Sequence, residues 1–122
     1  MPWFWAFLFT QIVEVPIYMR GMRARFHEAL GASSLTHPIV WFVIPELFDS
    51  FYVHVLARRL SIWLTASTRY AIMVAFAEVF AVVAEALYFR FIGLEKPWRW
   101  SLIANMASFG LGMLSRAYFG FP

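Results

Sequence analysis

The sequence predicts an all-α polytopic membrane protein, in which four transmembrane helices form a bundle and one amphipathic helix lies at the membrane interface. Of its 122 residues, 62% are hydrophobic and only 14% are charged, whereas soluble domains carry about 25% charged residues. The mean hydropathy is +0.68. The apolar residues fall into four long stretches with aromatic residues near their ends, as is typical of membrane interfaces. We therefore expect residues 1–122 to form a single transmembrane helical domain.

The four apolar stretches define the predicted membrane spans. Each is close to the lower end of the ~17–25 residues that a helix needs to cross a bilayer. The first stretch has no basic leader and carries Glu14 within it, so we interpret it as a retained span and not as a signal peptide. The predicted spans are residues 3–19, 30–48, 71–89 and 101–119.

Residues 50–66, between the second and third spans, have a different pattern. Polar residues recur there at helical spacing, opposite a set of large apolar residues, and they are His54, Arg58, Ser61 and Thr65. The adjacent basic pair Arg58 and Arg59 argues against a fifth span. The pattern favours an amphipathic helix lying in the interface, although a short tilted span would produce a similar pattern.

The distribution of basic residues predicts how the bundle is oriented. Six basic residues adjoin the two short loops, and they are Arg20, Arg23, Arg25, Arg90, Lys96 and Arg99. Four lie on the other side, and they are Arg58, Arg59, Arg69 and Arg116. Loops with more basic residues face the cytoplasm. We therefore predict an integral protein of the cell inner membrane, with both termini outside the cytoplasm.

Composition also excludes several kinds of site. The chain has no cysteine, so disulfides, thiol chemistry and sulfur-ligated metals are excluded. Its formal net charge of +3 comes from arginine-rich loops. Since no polar stretch interleaves aromatic and basic residues as a nucleic-acid groove does, we expect the lipid bilayer, and no nucleic acid, as a partner.

Polar residues within the spans are the candidate functional residues. An ionised side chain at the centre of a bilayer costs ~2.5–3.5 kcal/mol, so these residues should face the bundle interior. Counting ~1.5 Å of rise per residue, one polar residue from each span falls in the same half of the bundle. These four are Glu14, His37, Glu85 and Asn105. The full set of predicted ion- or proton-binding residues is Gln11, Glu14, His37, Glu78, Glu85 and Asn105.

Turned inward, the glutamates can share protons or pair with the histidine. With one histidine, His37, near two glutamates, Glu14 and Glu85, we expect at least one carboxyl to be protonated at neutral pH or to hold a cation. We identify no cofactor from the sequence.

Three classes of function fit this pattern. The leading hypothesis is that the protein binds or moves a proton or small cation across the membrane, through a ladder of Glu78, Glu85, Glu14 and His37. The first alternative is an accessory or structural subunit of a larger membrane complex. The second is a membrane enzyme or cofactor-binding protein, with His37, Glu14 and Glu85 as metal ligands or acid–base groups. The sequence lacks Glu-x-x-His and His-Glu-x-x-His spacings, so enzymatic activity is the less favoured class.

Several of these residues also have purely structural explanations. Packing of small residues explains a stripe in the fourth span that comprises Ser101, Ser108, Gly112 and Ser115. His37 could donate to a carbonyl freed by Pro38, and Asp49 is expected to pair with Arg58 or Arg59. Because four short spans enclose little volume, we also expect a homo-oligomer or other membrane subunits.

Overall fold

The computed structural model describes residues 2–121, which contain four helices and confirm the all-α class. Helix α1 is Pro2–Gly21 and helix α2 is Phe26–Ala57. Helix α3 is Ala66–Phe91 and helix α4 is Pro97–Phe119. Each predicted span lies within one of these helices, but all four helices extend beyond the predicted boundaries.

Helix α2 is much longer than predicted because it continues through most of the segment that we expected to form a separate interfacial helix. Two π-helical turns, Ile39–Val43 and Tyr52–Ala57, widen it locally. The first follows Pro38, whose missing N–H and ring disturb the regular α-helical hydrogen bonds. The chain leaves the helix only after Ala57, and residues 61–65 are not helical. The prediction of a separate helix over residues 50–66 is therefore wrong.

The four helices form a ring in which α1 packs against α2 and α4, and α3 also packs against α2 and α4. Trp100, just after the α3–α4 link, lies against Gly21 at the end of α1. Links 22–25 and 92–96 are therefore at the same end, which we call the loop end. At the opposite end, the rings of Trp5 and Phe121 are 5.9 Å apart. We call this the terminus end.

Helices α2 and α3 are held together near the terminus end by contacts around Tyr52. Arg69 lies over the Tyr52 ring at 4.6 Å, and the backbone N–H of Leu64 donates to the Tyr52 hydroxyl at 3.0 Å. Asp49 forms an ion pair with Arg69, in which the nitrogen and oxygen are 3.7 Å apart. The predicted pairing of Asp49 with Arg58 or Arg59 is therefore wrong.

An apolar cluster fills the bundle toward the loop end, and we call it the loop-end core. Tyr18 and Phe89 are fully buried there with ring centroids 4.5 Å apart. The Trp100 ring packs directly against the backbone of Gly21, where a Cβ atom would lie 2.4 Å from the indole. The buried members of the cluster are Val15, Tyr18, Met22, Ala24, Ala29, Ala32, Phe89 and Ala104.

Two of the four helices, α2 and α3, are long and apolar enough to cross a membrane, by length and composition alone. The sequence predicts four such spans, but within residues 2–121 helices α1 and α4 do not meet this criterion. The reason is that α1 and α4 carry many of the polar residues that face the interior. These residues, which lower the average hydropathy of the two helices, are Gln11, Glu14, Ser101, Asn105 and Ser108.

The side chains of this bundle are distributed in the opposite sense to those of a soluble protein. The buried set consists largely of alanine, serine and other small or polar residues. Large apolar side chains are exposed instead on every helix, as shown by Ile12, Leu47, Phe76 and Leu114. In water, the protein would lose about 25 cal/mol of stabilisation for each Å² of this apolar surface that is left exposed.

Candidate functional site

Side chains from all four helices meet around Glu14 of α1 and Glu85 of α3. Both glutamates are only 1% exposed, and a direct network of hydrogen bonds surrounds them. We call this network the carboxyl cluster, and its other members are Tyr18, Ser33, Thr36, Asn105 and Ser108.

Glu85 accepts hydrogen bonds from three other helices. The Tyr18 hydroxyl of α1 donates to Oε2, and Asn105 Nδ2 of α4 donates to the same oxygen at 3.0 Å. Thr36 Oγ1 of α2 donates to Oε1 at 2.8 Å. The Glu85 carboxyl group of α3 is therefore bonded to a side chain from each of the other three helices.

Glu14 accepts hydrogen bonds from the two helices that flank α1. The Ser33 hydroxyl of α2 donates to Oε2, and the Ser108 hydroxyl of α4 donates to Oε1 at 2.6 Å. Asn105 is held in place beside Glu85 because its Nδ2 also donates to the backbone oxygen of Ser101 at 2.9 Å. Both oxygens of both carboxyl groups thus have a protein donor.

Residue spacing along α1 and α4 explains why these groups converge. On α1 the inward residues recur at intervals of four, four, three and four, and they are Trp3, Phe7, Gln11, Glu14 and Tyr18. On α4, Ser101, Asn105 and Ser108 are separated by four and three residues. Residues at such intervals share one helix face, and the small serines allow close approach of neighbouring helices.

All donors that reach the two carboxyl groups, within residues 2–121, are neutral hydroxyl or amide groups. The donors to Glu14 and to Glu85 are only three residues apart on α2 and on α4, so the two carboxyl groups lie close together. If both carboxyl groups were ionised, their two negative charges would repel each other, and only the dipoles of neutral donors would stabilise them. A bound proton or cation would remove this repulsion.

Three of the predicted site residues, Glu14, Glu85 and Asn105, lie together in the carboxyl cluster. His37 lies elsewhere, among the rings of Trp3, Phe7 and Trp41. Its Nε2 has no hydrogen-bond partner among the described residues. The predicted pairing of His37 with a glutamate does not occur, because Ser33, one helical turn nearer the loop end, takes the position beside Glu14.

The remaining predicted residues, Gln11 and Glu78, lie on the terminus side of the cluster. Gln11 is one turn from Glu14 on the same face of α1 and is 7% exposed. Its amide nitrogen and oxygen have no hydrogen-bond partner in the described part of the chain. Glu78 is two turns from Glu85 on α3 and is only partly buried.

Four members of the cluster were not among the predicted site residues. They are Tyr18, Ser33, Thr36 and Ser108. Helical spacing was the signal that pointed to them, since Tyr18 follows Glu14 by four residues and Ser108 follows Asn105 by three. Serine and threonine are common in membrane helices for packing alone, so their residue type did not distinguish them.

The metal-site alternative required His37, Glu14 and Glu85 to come together. Among residues 2–121, no group of three or more histidine, aspartate or glutamate side chains is arranged to hold a metal ion. Two open grooves, of about 310 and 280 Å³, lie elsewhere on the surface. The groove between α1 and α4 is lined by apolar residues such as Phe9 and Leu111, and the other by residues that include Asp49 and Arg69. Neither groove is lined by Glu14 or Glu85.

Comparison with protein-family models, with curated proteins and with solved structures finds no match to this chain.

Proposed function

We propose that the bundle lies within a lipid bilayer and that Glu14 and Glu85 together bind a proton or small cation, which the protein moves across the membrane. The observation that carries this proposal is the environment of the two carboxyl groups. Each is almost completely buried, and within residues 2–121 each accepts hydrogen bonds from neutral donors only. Such a pair is suited to gaining and losing one positive charge.

The apolar outer surface supports the membrane location. Helices α2 and α3 are long and apolar enough to cross a bilayer. Helices α1 and α4 have 20 and 23 residues, which at ~1.5 Å per residue matches a hydrocarbon core of about 30 Å. Their buried polar residues face inward, and many of their large apolar residues, such as Ile12 and Leu114, are exposed. We therefore propose that α1 and α4 cross the bilayer beside α2 and α3.

A proton fits the cluster better than a larger ion does. All four carboxyl oxygens already accept hydrogen bonds from protein donors, so a metal cation would have to displace several of these donors. A proton needs no additional space. Within the proposal, the loop end faces the cytoplasm, the termini face outside, and two or more copies of the chain assemble to complete a path.

The test is proton flux into liposomes that contain the purified protein under an imposed pH gradient. Wild type should dissipate the gradient, and Glu85→Gln should not, because an amide of the same shape cannot release a proton. Glu95→Gln is the matched control, since Glu95 is an exposed loop residue, and it should retain wild-type flux. Absence of flux from wild type under any gradient of protons or small cations would refute the proposal, as would full flux from Glu85→Gln.

An accessory or structural role is the second candidate, and one observation favours it. The carboxyl cluster joins all four helices and satisfies both oxygens of each glutamate, as a purely structural cluster would do. In that case Glu85→Gln should leave function and assembly intact, whereas Glu85→Leu should lower stability by about 1–3 kcal/mol because it leaves buried donors unsatisfied. Thermal unfolding of both variants, measured beside the flux assay, separates the two candidates.

A further inference from the structure

The bundle differs sharply on the two sides of the carboxyl cluster. Toward the loop end lies the loop-end core, in which Tyr18, Phe89 and Ala29 are fully buried and closely packed. Toward the terminus end lie buried polar atoms that have no hydrogen-bond partner within residues 2–121. One side of the cluster is thus sealed by apolar packing, and the other contains groups that require hydrogen bonds.

The unpartnered atoms belong to Trp3 and Gln11 of α1 and to His37 of α2. Gln11 is more than nine-tenths buried, and its amide nitrogen and oxygen both lack a partner among residues 2–121. Nε2 of His37 and Nε1 of Trp3 are likewise buried without a partner in that part of the chain. Each unsatisfied buried group costs about 1–3 kcal/mol, and native proteins rarely leave such groups unpaired.

The surroundings of these atoms restrict what can satisfy them. The His37 ring lies 5.4 Å from Phe7, 6.0 Å from Trp41 and 6.3 Å from Trp3, measured between ring centroids. Rings at these distances are in contact, so an organic ligand does not fit between them. The Trp3 indole can only donate, while the Gln11 amide both donates and accepts. Water is small enough, and it supplies both kinds of hydrogen bond.

We infer that ordered water molecules bind between Trp3 and Glu14, on the inward face of α1, and connect the carboxyl cluster to the terminus end alone. Gln11, one turn from Glu14, lies between the cluster and the aromatic group around His37. The loop-end core excludes a corresponding path on the other side. The water site is independent of the proposed function, but its role as a route for protons rests on that function.

Nuclear magnetic resonance of the protein in lipid nanodiscs tests the water site directly. Magnetisation transfer from water should reach the side-chain amide of Gln11 and the indole N–H of Trp3. The Asn105 amide is the control, because it is already bonded to Glu85 and Ser101, and it should receive none. Absence of transfer at Gln11, or equal transfer at Asn105, would overturn the inference whether or not the protein conducts protons.

Access from one side is tested with single cysteine variants, which the cysteine-free chain makes unambiguous. In liposomes with uniformly oriented protein, silver ions added on the terminus side should block the thiol of Gln11→Cys against later labelling. Silver ions added on the loop side should not. Ala29→Cys, in the loop-end core, should be protected from both sides. Blocking of Gln11→Cys from the loop side would contradict access from the terminus end alone. Absence of flux alongside these results would refute only the proposed function.

Discussion

The hydroxyl group of Tyr18 on α1 donates a hydrogen bond to the carboxyl group of Glu85 on α3. These helices are not neighbours in the ring, since each packs between α2 and α4. The bond therefore crosses the centre of the bundle and connects the helices that carry Glu14 and Glu85. The Tyr18 ring itself packs on Phe89, so the hydroxyl group can be removed without removing the packing.

Tyr18→Phe should lower the free energy of unfolding by about 1–3 kcal/mol, because Glu85 loses one donor while the aromatic contact remains. Tyr88→Phe is the control, since the partly buried Tyr88 contributes no hydroxyl group to the cluster, and it should change stability by less than about 0.5 kcal/mol. Thermal unfolding in detergent measures both. Equal effects of the two substitutions would show that the bond across the bundle contributes nothing to stability.

Two adjacent serines allow a similar comparison on α2. Ser33 donates to Glu14 of another helix, whereas Ser34 donates only to the Leu30 carbonyl of its own helix at 2.6 Å. Ser33→Ala should therefore destabilise the protein by about 1–3 kcal/mol. Ser34→Ala should be close to neutral, since that carbonyl already accepts a helical hydrogen bond. The prediction fails if Ser34→Ala is the more damaging change in a denaturation experiment.

Glycine substitutions should distinguish a required close contact from a tolerant position. Gly21→Ala places a Cβ 2.4 Å from the Trp100 ring, and the resulting overpacking should cost about 1–3 kcal/mol. Gly110→Ala meets no atom within 4 Å, so the better helix propensity of alanine should stabilise α4 by about 0.5–1 kcal/mol. Melting temperatures that shift in the same direction for both variants would contradict this account.

Topology can be tested with reporter fusions. Fusions within residues 22–25 and 92–96 should report a cytoplasmic location, because six of the ten basic residues adjoin these two links. A fusion within residues 58–65, and another after Phe121, should report the opposite side. If the fusions at the loop end report an external location, the orientation is the reverse of the predicted one. If the C-terminus lies on the same side as the loop end, the chain does not cross the membrane four times.

The approximate positions of the four helices follow from hydropathy, but their boundaries do not. Helix α2 continues to Ala57 although its polar pattern changes at His54. Amphipathic spacing predicts a separate helix here, but spacing alone does not specify where one helix ends and the next begins. Hydropathy averaged around α1 and α4 likewise obscures the difference between their inward and outward faces.

The carboxyl cluster was only partly predictable for a geometric reason. Counting rise per residue gives the depth of a side chain along the bundle, and on this basis Glu14, Glu85 and Asn105 were grouped together. Depth does not specify the direction in which a side chain points. His37 was grouped with them by depth but points into the aromatic residues of α1, and Ser33 occupies the position beside Glu14. To predict whether His37 or Ser33 lies beside Glu14, one needs the rotation of α2 about its own axis. This angle cannot be deduced from residue spacing along the sequence.

The hydrogen bond between Glu14 and Ser108 joins residues that are 94 positions apart in the chain. During biosynthesis α1 is made well before α4, so Glu14 lacks this donor until almost the whole bundle has been synthesised. Glu85 similarly lacks its hydrogen bond from Asn105 until α4 has been made. In the proposed bilayer location, early intermediates would have to keep their carboxyl groups protonated, near water or beside another protein, because unsatisfied polar groups are poorly tolerated in lipid. Helix α4 is therefore the element that completes the hydrogen bonding of both glutamates.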